Sequence, residues 1–96
     1  VSTLHTISKP PSSGLLDSCL TNVNENDALL FLEDGVYYAS RFSPDLKTPR
    51  YLELFSLEED IMARGLNQST LSTIKIINYS DFVDLCVRYD KVVNWF

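Results

Sequence analysis

Between positions 28 and 37 five apolar residues, Ala28-Leu29-Leu30-Phe31-Leu32, run without a break into Glu33-Asp34-Gly35-Val36-Tyr37. The run is too short for a long helix and has no polar face. As a strand it must be covered on both sides, which is the pattern of an inner strand of a parallel sheet. The adjacent acids then mark its carboxyl end. In open α/β sheets, ligands and partners are met in the crevice outside the carboxyl ends of the strands. Glu33, Asp34, Gly35 and the neighbouring Tyr37 therefore form the first candidate site.

The rest of the chain supplies partners for such a strand. Leu4-His5-Thr6-Ile7 reads as a short strand ended by Lys9-Pro10-Pro11, because proline cannot donate to a ladder. Ser12 or Ser13 is a candidate cap for a helix whose apolar face carries Leu15, Leu16, Cys19, Leu20 and Val23. After the central strand Gly35 is expected to free the turn, and Val36-Tyr37-Tyr38-Ala39 leans to helix over strand. The prolines of Ser43–Pro49 mark a loop, and Tyr51–Phe55 reads as a third strand. Ser56-Leu57-Glu58-Glu59 matches a capping box, opening a short helix that carries Arg64 in its last turn and stops at Gly65. Thr73–Ile77 is a fourth strand, placed near an edge by Lys75. Asn78 then caps a final helix, with Asp81 at its third position, Ile77 packing on Phe82, and Phe82, Val83, Cys86 and Tyr89 on one face. Strands alternating with helices over short links predict one domain spanning 1–96. Its expected form is a three-layer α/β sandwich, a small, mostly parallel sheet flanked by helices in a flavodoxin-like arrangement.

Composition narrows the function classes. A chain of 96 residues with 45% apolar and 22% charged content makes a single small core, so a partner subunit could contribute to stability. The net charge of −5 opposes direct phosphate-backbone binding, which depends on clustered Lys and Arg. No apolar run approaches a membrane span and no signal peptide is recognisable, so a cytoplasmic location is expected. Cys19 and Cys86 are too few for a disulfide scaffold and read as reduced thiols. Asn67-Gln68-Ser69 and Asn78-Tyr79-Ser80 match a glycosylation pattern short enough to recur by chance.

The candidate chemistry is sparse. Glu33 and Asp34 suit general acid–base work, metal ligation or hydrogen bonding at an interface, but no metal-ligand spacing accompanies them. A polar strand exit, with Asp34-Gly35 forming the turn, is the favoured reading. His5 is the sole histidine, either a proton shuttle or a structural hydrogen-bonder. Arg64 reads first as a helix-end cation, and Tyr37, Tyr38, Trp95 and Phe96 as partner contacts or core. A receiver-like phosphoacceptor or another α/β binding domain remains an alternative, although Thr6-Ile7-Ser8 supplies none of the further acids a receiver needs. No glycine-rich phosphate loop opens a helix, and no cofactor is expected.

Four segments occur together in order: Leu4-His5-Thr6, Leu30-Phe31-Leu32-Glu33-Asp34-Gly35-Val36-Tyr37, Asp60-Ile61-Met62-Ala63-Arg64-Gly65 and Tyr79-Ser80-Asp81-Phe82-Val83-Asp84-Leu85. With the tryptophan at 95, this pattern resembles the TusB/DsrH family over essentially the whole chain. Asn78 stands where that family usually has aspartate, and caps a helix equally well. The resemblance implies a subunit of a sulfur-relay complex, joined with TusC/DsrF-like and TusD/DsrE-like subunits in a heterohexamer. Such complexes take persulfide sulfur from a TusA-like donor to a TusE/DsrC-like acceptor, toward 2-thiolation of the tRNA wobble uridine or in sulfur oxidation. The principal acceptor cysteine resembles one on the TusD/DsrE-type subunit. Cys19 occupies the place of a first-helix cysteine found in DsrH-type members, which makes it the candidate sulfur carrier here. Its apolar surroundings oppose thiolate formation, so a supporting role in assembly is the expectation.

Overall fold

The computed structural model describes residues 1–40, 46–66 and 70–96. Asn67-Gln68-Ser69 and Ser43-Pro44-Asp45 of the expected proline loop lie outside the described residues. Strands β1 (Thr3–Ile7), β2 (Ala28–Phe31), β3 (Glu53–Leu57), β4 (Lys75–Ile77) and β5 (Lys91–Trp95) form one sheet in the order β4-β3-β2-β1-β5. Every pairing is parallel. Helices α1 (Leu15–Leu20), α2 (Glu58–Ala63) and α3 (Tyr79–Arg88) connect the strands, with 3-10 helices over Pro11–Ser13 and Glu33–Ala39.

The central run behaves as its lack of polarity requires. Ala28, Leu29, Leu30 and Phe31 are all fully buried in the middle of the sheet. Successive side chains of a strand point to opposite faces, so β2 feeds two cores. Leu29 and Phe31 join Ile7, Leu16, Cys19, Val36, Tyr38 and Ile61 on one face. Leu30 and Ala28 join Leu4, Phe55, Ile77 and Leu85 on the other. Tyr38 stacks on Phe31 with ring centroids 5.2 Å apart, which fixes the 3-10 helix against the strand that precedes it.

Several local expectations change. The third strand lies at Glu53–Leu57 instead of Tyr51–Phe55, so Ser56 is inside it, paired opposite Phe31 and Ile76. The capping box at Ser56 does not form. Leu57 takes the N-cap position without a side-chain cap bond, and the buried Ser56 hydroxyl has no hydrogen-bond partner among the described residues. Ladder bonds to β2 and β4 win over one capping bond, and Glu59 accepts from the Tyr79 amide at 3.1 Å instead. The first helix is broken by Gly14 at φ +71°, and Ser13 Oγ accepts from the Leu15 amide. On α3, Leu85 is the buried residue while Val83 is exposed and Cys86 half-buried. Asn78 does cap α3, with the reciprocal Asp81 bond in place, and Gly65 stops α2 at φ +67°. β4 is an edge strand, as Lys75 suggested. Strand β5 was not anticipated.

Candidate functional site

Because the chain builds β1 to β4 on one side and then crosses under α3 to β5, strand order reverses between β1 and β5. Their carboxyl ends open an exposed groove lined by Thr6, Ser8, Lys9, Leu32, Glu33 and Asn94. Glu33, after β2, borders this switch point, where crevices of open α/β sheets lie.

The local geometry spends most of that polarity internally. Glu33 has φ +50°, a left-handed conformation unfavourable for a residue with a Cβ, and its amide donates to Asp60 Oδ2 at 2.6 Å. Asp34 Oδ1 accepts from Arg64 Nε at 3.0 Å and lies 2.9 Å from Nη2. Arg64 Nη1 also donates to the Asp60 carbonyl at 3.3 Å. The helix-end cation thus fastens the exit of β2 to α2. Gly35 is not in the left-handed region. It is needed because a Cβ there would lie 2.0 Å from the Ile7 carbonyl oxygen, which also accepts from the Leu32 amide at 3.1 Å. Close approach of β1, not turn freedom, is the reason for this glycine. Tyr37 stands partly exposed on the same 3-10 helix while Tyr38 is core. The structure therefore gathers Glu33, Asp34, Gly35 and Tyr37 at one sheet end, with Asp60 and Arg64 as their partners.

Cys19 is not among them. It is fully buried in the core under α1, and its charged neighbour is Asp27, which precedes β2. Burial pushes the Cys19 thiol up to about 12, and the Asp27 carboxylate adds to the rise. At neutral pH the thiolate that attacks sulfur is therefore strongly disfavoured.

Asp27 is the residue the sequence reading missed. Buried before β2, it accepts from the Thr3 amide at 3.0 Å, the Asn24 amide at 2.9 Å and His5 Nε2 at 2.9 Å. Burial raises its pKa, but the His5, Asn24 and Thr3 bonds outweigh that and hold the carboxyl below its ordinary value. The indole N–H of Trp95 can only donate, and it points at His5 Nδ1 at 3.1 Å. His5 Nδ1 therefore accepts, Nε2 carries the proton, and the ring is a structural link between β2 and β5, not a free proton shuttle. Two signals were available for this network: an acid directly against a fully apolar run, and the sole histidine in the strand beside it. Among the described residues no group of His, Cys, Asp and Glu side chains is placed to hold a metal ion.

The family model of DsrH-like proteins matches residues 9–92. The chain belongs to the TusB/DsrH family. It is 35% identical over 94 residues to Protein TusB of Yersinia enterocolitica, covering 96% of this chain and 99% of that one. Protein TusB of Salmonella dublin is 37% identical over 95 residues, with the same coverage. In fold the chain is similar to protein Tm0979 of Thermotoga maritima, with a TM-score of 0.70 at 21% identity over 90% of this chain and 92% of that one. The ychN protein of E. coli gives 0.69 at 13% identity over 98% and 97%. These structures support the α/β sandwich alone.

Proposed function

We propose that this TusB/DsrH-family chain is a subunit of a sulfur-relay complex formed with TusC/DsrF-like and TusD/DsrE-like α/β subunits in a heterohexamer. In that reading the complex receives persulfide sulfur from a TusA-like donor and delivers it to a TusE/DsrC-like acceptor in the cytoplasm. The destination is 2-thiouridine at the tRNA wobble position or sulfur oxidation, with no direct nucleic-acid or membrane contact by this chain. The full-length likeness to TusB proteins supports the relay assignment. The burial of Cys19 carries the second half: this subunit supports assembly and is not the sulfur carrier. Glu33 and Asp34 fit that role, organising the sheet end and an adjoining subunit face. The receiver-like alternative is disfavoured by Asp34, whose carboxylate is held by Arg64.

Co-expression with the two partner types, followed by size-exclusion chromatography, tests membership; a chain that elutes apart from both refutes it. In the assembled complex, Cys19→Ser leaves transfer from a persulfidated TusA-like donor intact, and mass spectrometry finds no added sulfur on the wild-type subunit. Stoichiometric persulfide on Cys19, with transfer lost in the serine variant, overturns the supporting role.

A further inference from the structure

The two edges of the sheet are built differently. Each edge strand begins with a lysine, Lys75 or Lys91, but β4 has only three residues, and a very short edge resists pairing with another strand. β5 has five residues, Lys91-Val92-Val93-Asn94-Trp95, with no proline and with Val92 and Val93 39% and 37% exposed on opposite faces. An exposed edge of this composition invites another strand. Yet β5 is not left to fray. At one end the Lys91 amide bonds the Ser2 carbonyl at 3.1 Å and Asp90 Oδ2 accepts from the Ser2 amide at 2.9 Å. At the other, Thr6 Oγ1 donates to Asn94 Oδ1 at 2.5 Å and Trp95 is tied through His5 to the buried Asp27. A polar network, buried at its His5–Asp27 pair, holds an exposed strand in a fixed register.

That register says which backbone groups of β5 face away from β1. Lys91 faces Thr3 and bonds Ser2, so in a parallel ladder Lys91, Val93 and Trp95 turn their N–H and C=O toward β1. Val92 and Asn94 turn theirs outward. We infer that β5 pairs antiparallel with β5 of a second copy of this chain across a two-fold axis at Val93, joining the two sheets. In this register Val92 of one copy and the second copy's Asn94 exchange both backbone bonds, and Val93 meets Val93 as a non-hydrogen-bonded pair. Lys91 lies opposite the second copy's Trp95, a cation beside an indole, and no like charges face each other. A two-fold contact must be self-complementary, and this strand is. On helix α3, Asp81, Asp84 and Arg88 line a groove with β3 and β4, while Tyr79, Val83 and Val87, at helical spacing, are 58%, 51% and 82% exposed.

The inference goes beyond the sulfur-relay reading and is tested on the chain alone, in a Cys86→Ser background. Val93→Cys places two thiols across the axis at a spacing a disulfide can bridge, whereas Val92→Cys leaves them about 7–8 Å apart or more. The expected result is a cross-linked dimer with Val93→Cys, forming about tenfold or more faster than with Val92→Cys. Val93→Lys and Val93→Glu should each elute as folded monomers by size exclusion and circular dichroism, and mixing them should restore the dimer. A wild-type chain that is monomeric at high micromolar concentration overturns the inference, as does equal cross-linking at both positions. So does a Val93→Cys link that forms only to a co-expressed homologous subunit.

Discussion

Replacing Gly35 with alanine tests the reason given for the motif at the end of β2. The added Cβ would sit 2.0 Å from the Ile7 carbonyl oxygen and 2.8 Å from its carbon, both backbone atoms. At least about 1 Å of separation must be recovered, and no flexible side chain can supply it. The Ile7 carbonyl cannot retreat freely, because it accepts from Leu32 and lies in the ladder between the largely buried β1 and the fully buried β2. Overpacking of this kind costs about 3 kcal/mol or more, a large share of the roughly 5–15 kcal/mol stability of a small domain. At about 4–8 °C per kcal/mol the melting midpoint should fall by about 12–24 °C. Gly65→Ala is the internal comparison: φ is +67° but nothing lies within 4 Å of the added carbon. It should cost only the left-handed penalty of about 1 kcal/mol. Thermal and urea unfolding of both variants decide the matter. If Gly35→Ala is no less stable than Gly65→Ala, close approach to Ile7 is not what requires the glycine.

Three further outcomes are expected. Asp27 has a lowered folded pKa, so its stabilisation is present at neutral pH and lost as pH falls from about 4 downward through that lowered value; Asp27→Asn should be less stable at pH 7 but show a flatter acid limb in pH-dependent urea melts. Iodoacetamide at pH 7.5 should label half-buried Cys86 well before Cys19, and early labelling of Cys19 in the folded chain would contradict its burial. Asn78→Ala removes the bond to the Asp81 amide and should cost about 1 kcal/mol by chemical denaturation, with a neutral result arguing that the cap contributes nothing.

What the sequence made legible followed from burial and from end chemistry. β2 was readable because an unbroken apolar run has one economical place in an α/β fold, and α3 because Asn78 and Asp81 cap only in helical register. Ser56 misled because a capping box is defined by spacing, which a strand ending one residue later satisfies equally well. The grouping of Glu33, Asp34, Gly35 and Tyr37 was legible, but their partners were not: Asp60 and Arg64 arrive from α2 only once the sheet order is known. β5 escaped because Lys91-Val92-Val93-Asn94 alternates weakly and follows a helix without a glycine or proline. Its pairing with β1, almost ninety residues away, is a property of topology. Asp27 escaped for the converse reason, since an aspartate before a strand reads as a turn residue until its bonds are known.

Asp27 joins two features that look unrelated. Its charge holds the Thr3 and Asn24 amides and His5, and through His5 the indole of Trp95. The same charge opposes ionisation of Cys19. A thiolate at Cys19 therefore places a second negative charge in a buried region already committed to one, or else requires Asp27 to be neutralised. Neutralising Asp27 weakens the hydrogen bonds that fix the start of β1 and the end of β5. Within this chain, making the cysteine reactive and keeping the edge strand in place pull against each other. Asp27→Asn should show both effects at once: Cys19 titrates lower, though still above an ordinary thiol because burial remains the larger cause, while amide hydrogen exchange speeds up in β5. A Cys19 titration unchanged by the substitution, together with undiminished protection of β5, would separate the two and remove this account of why the thiol is silent.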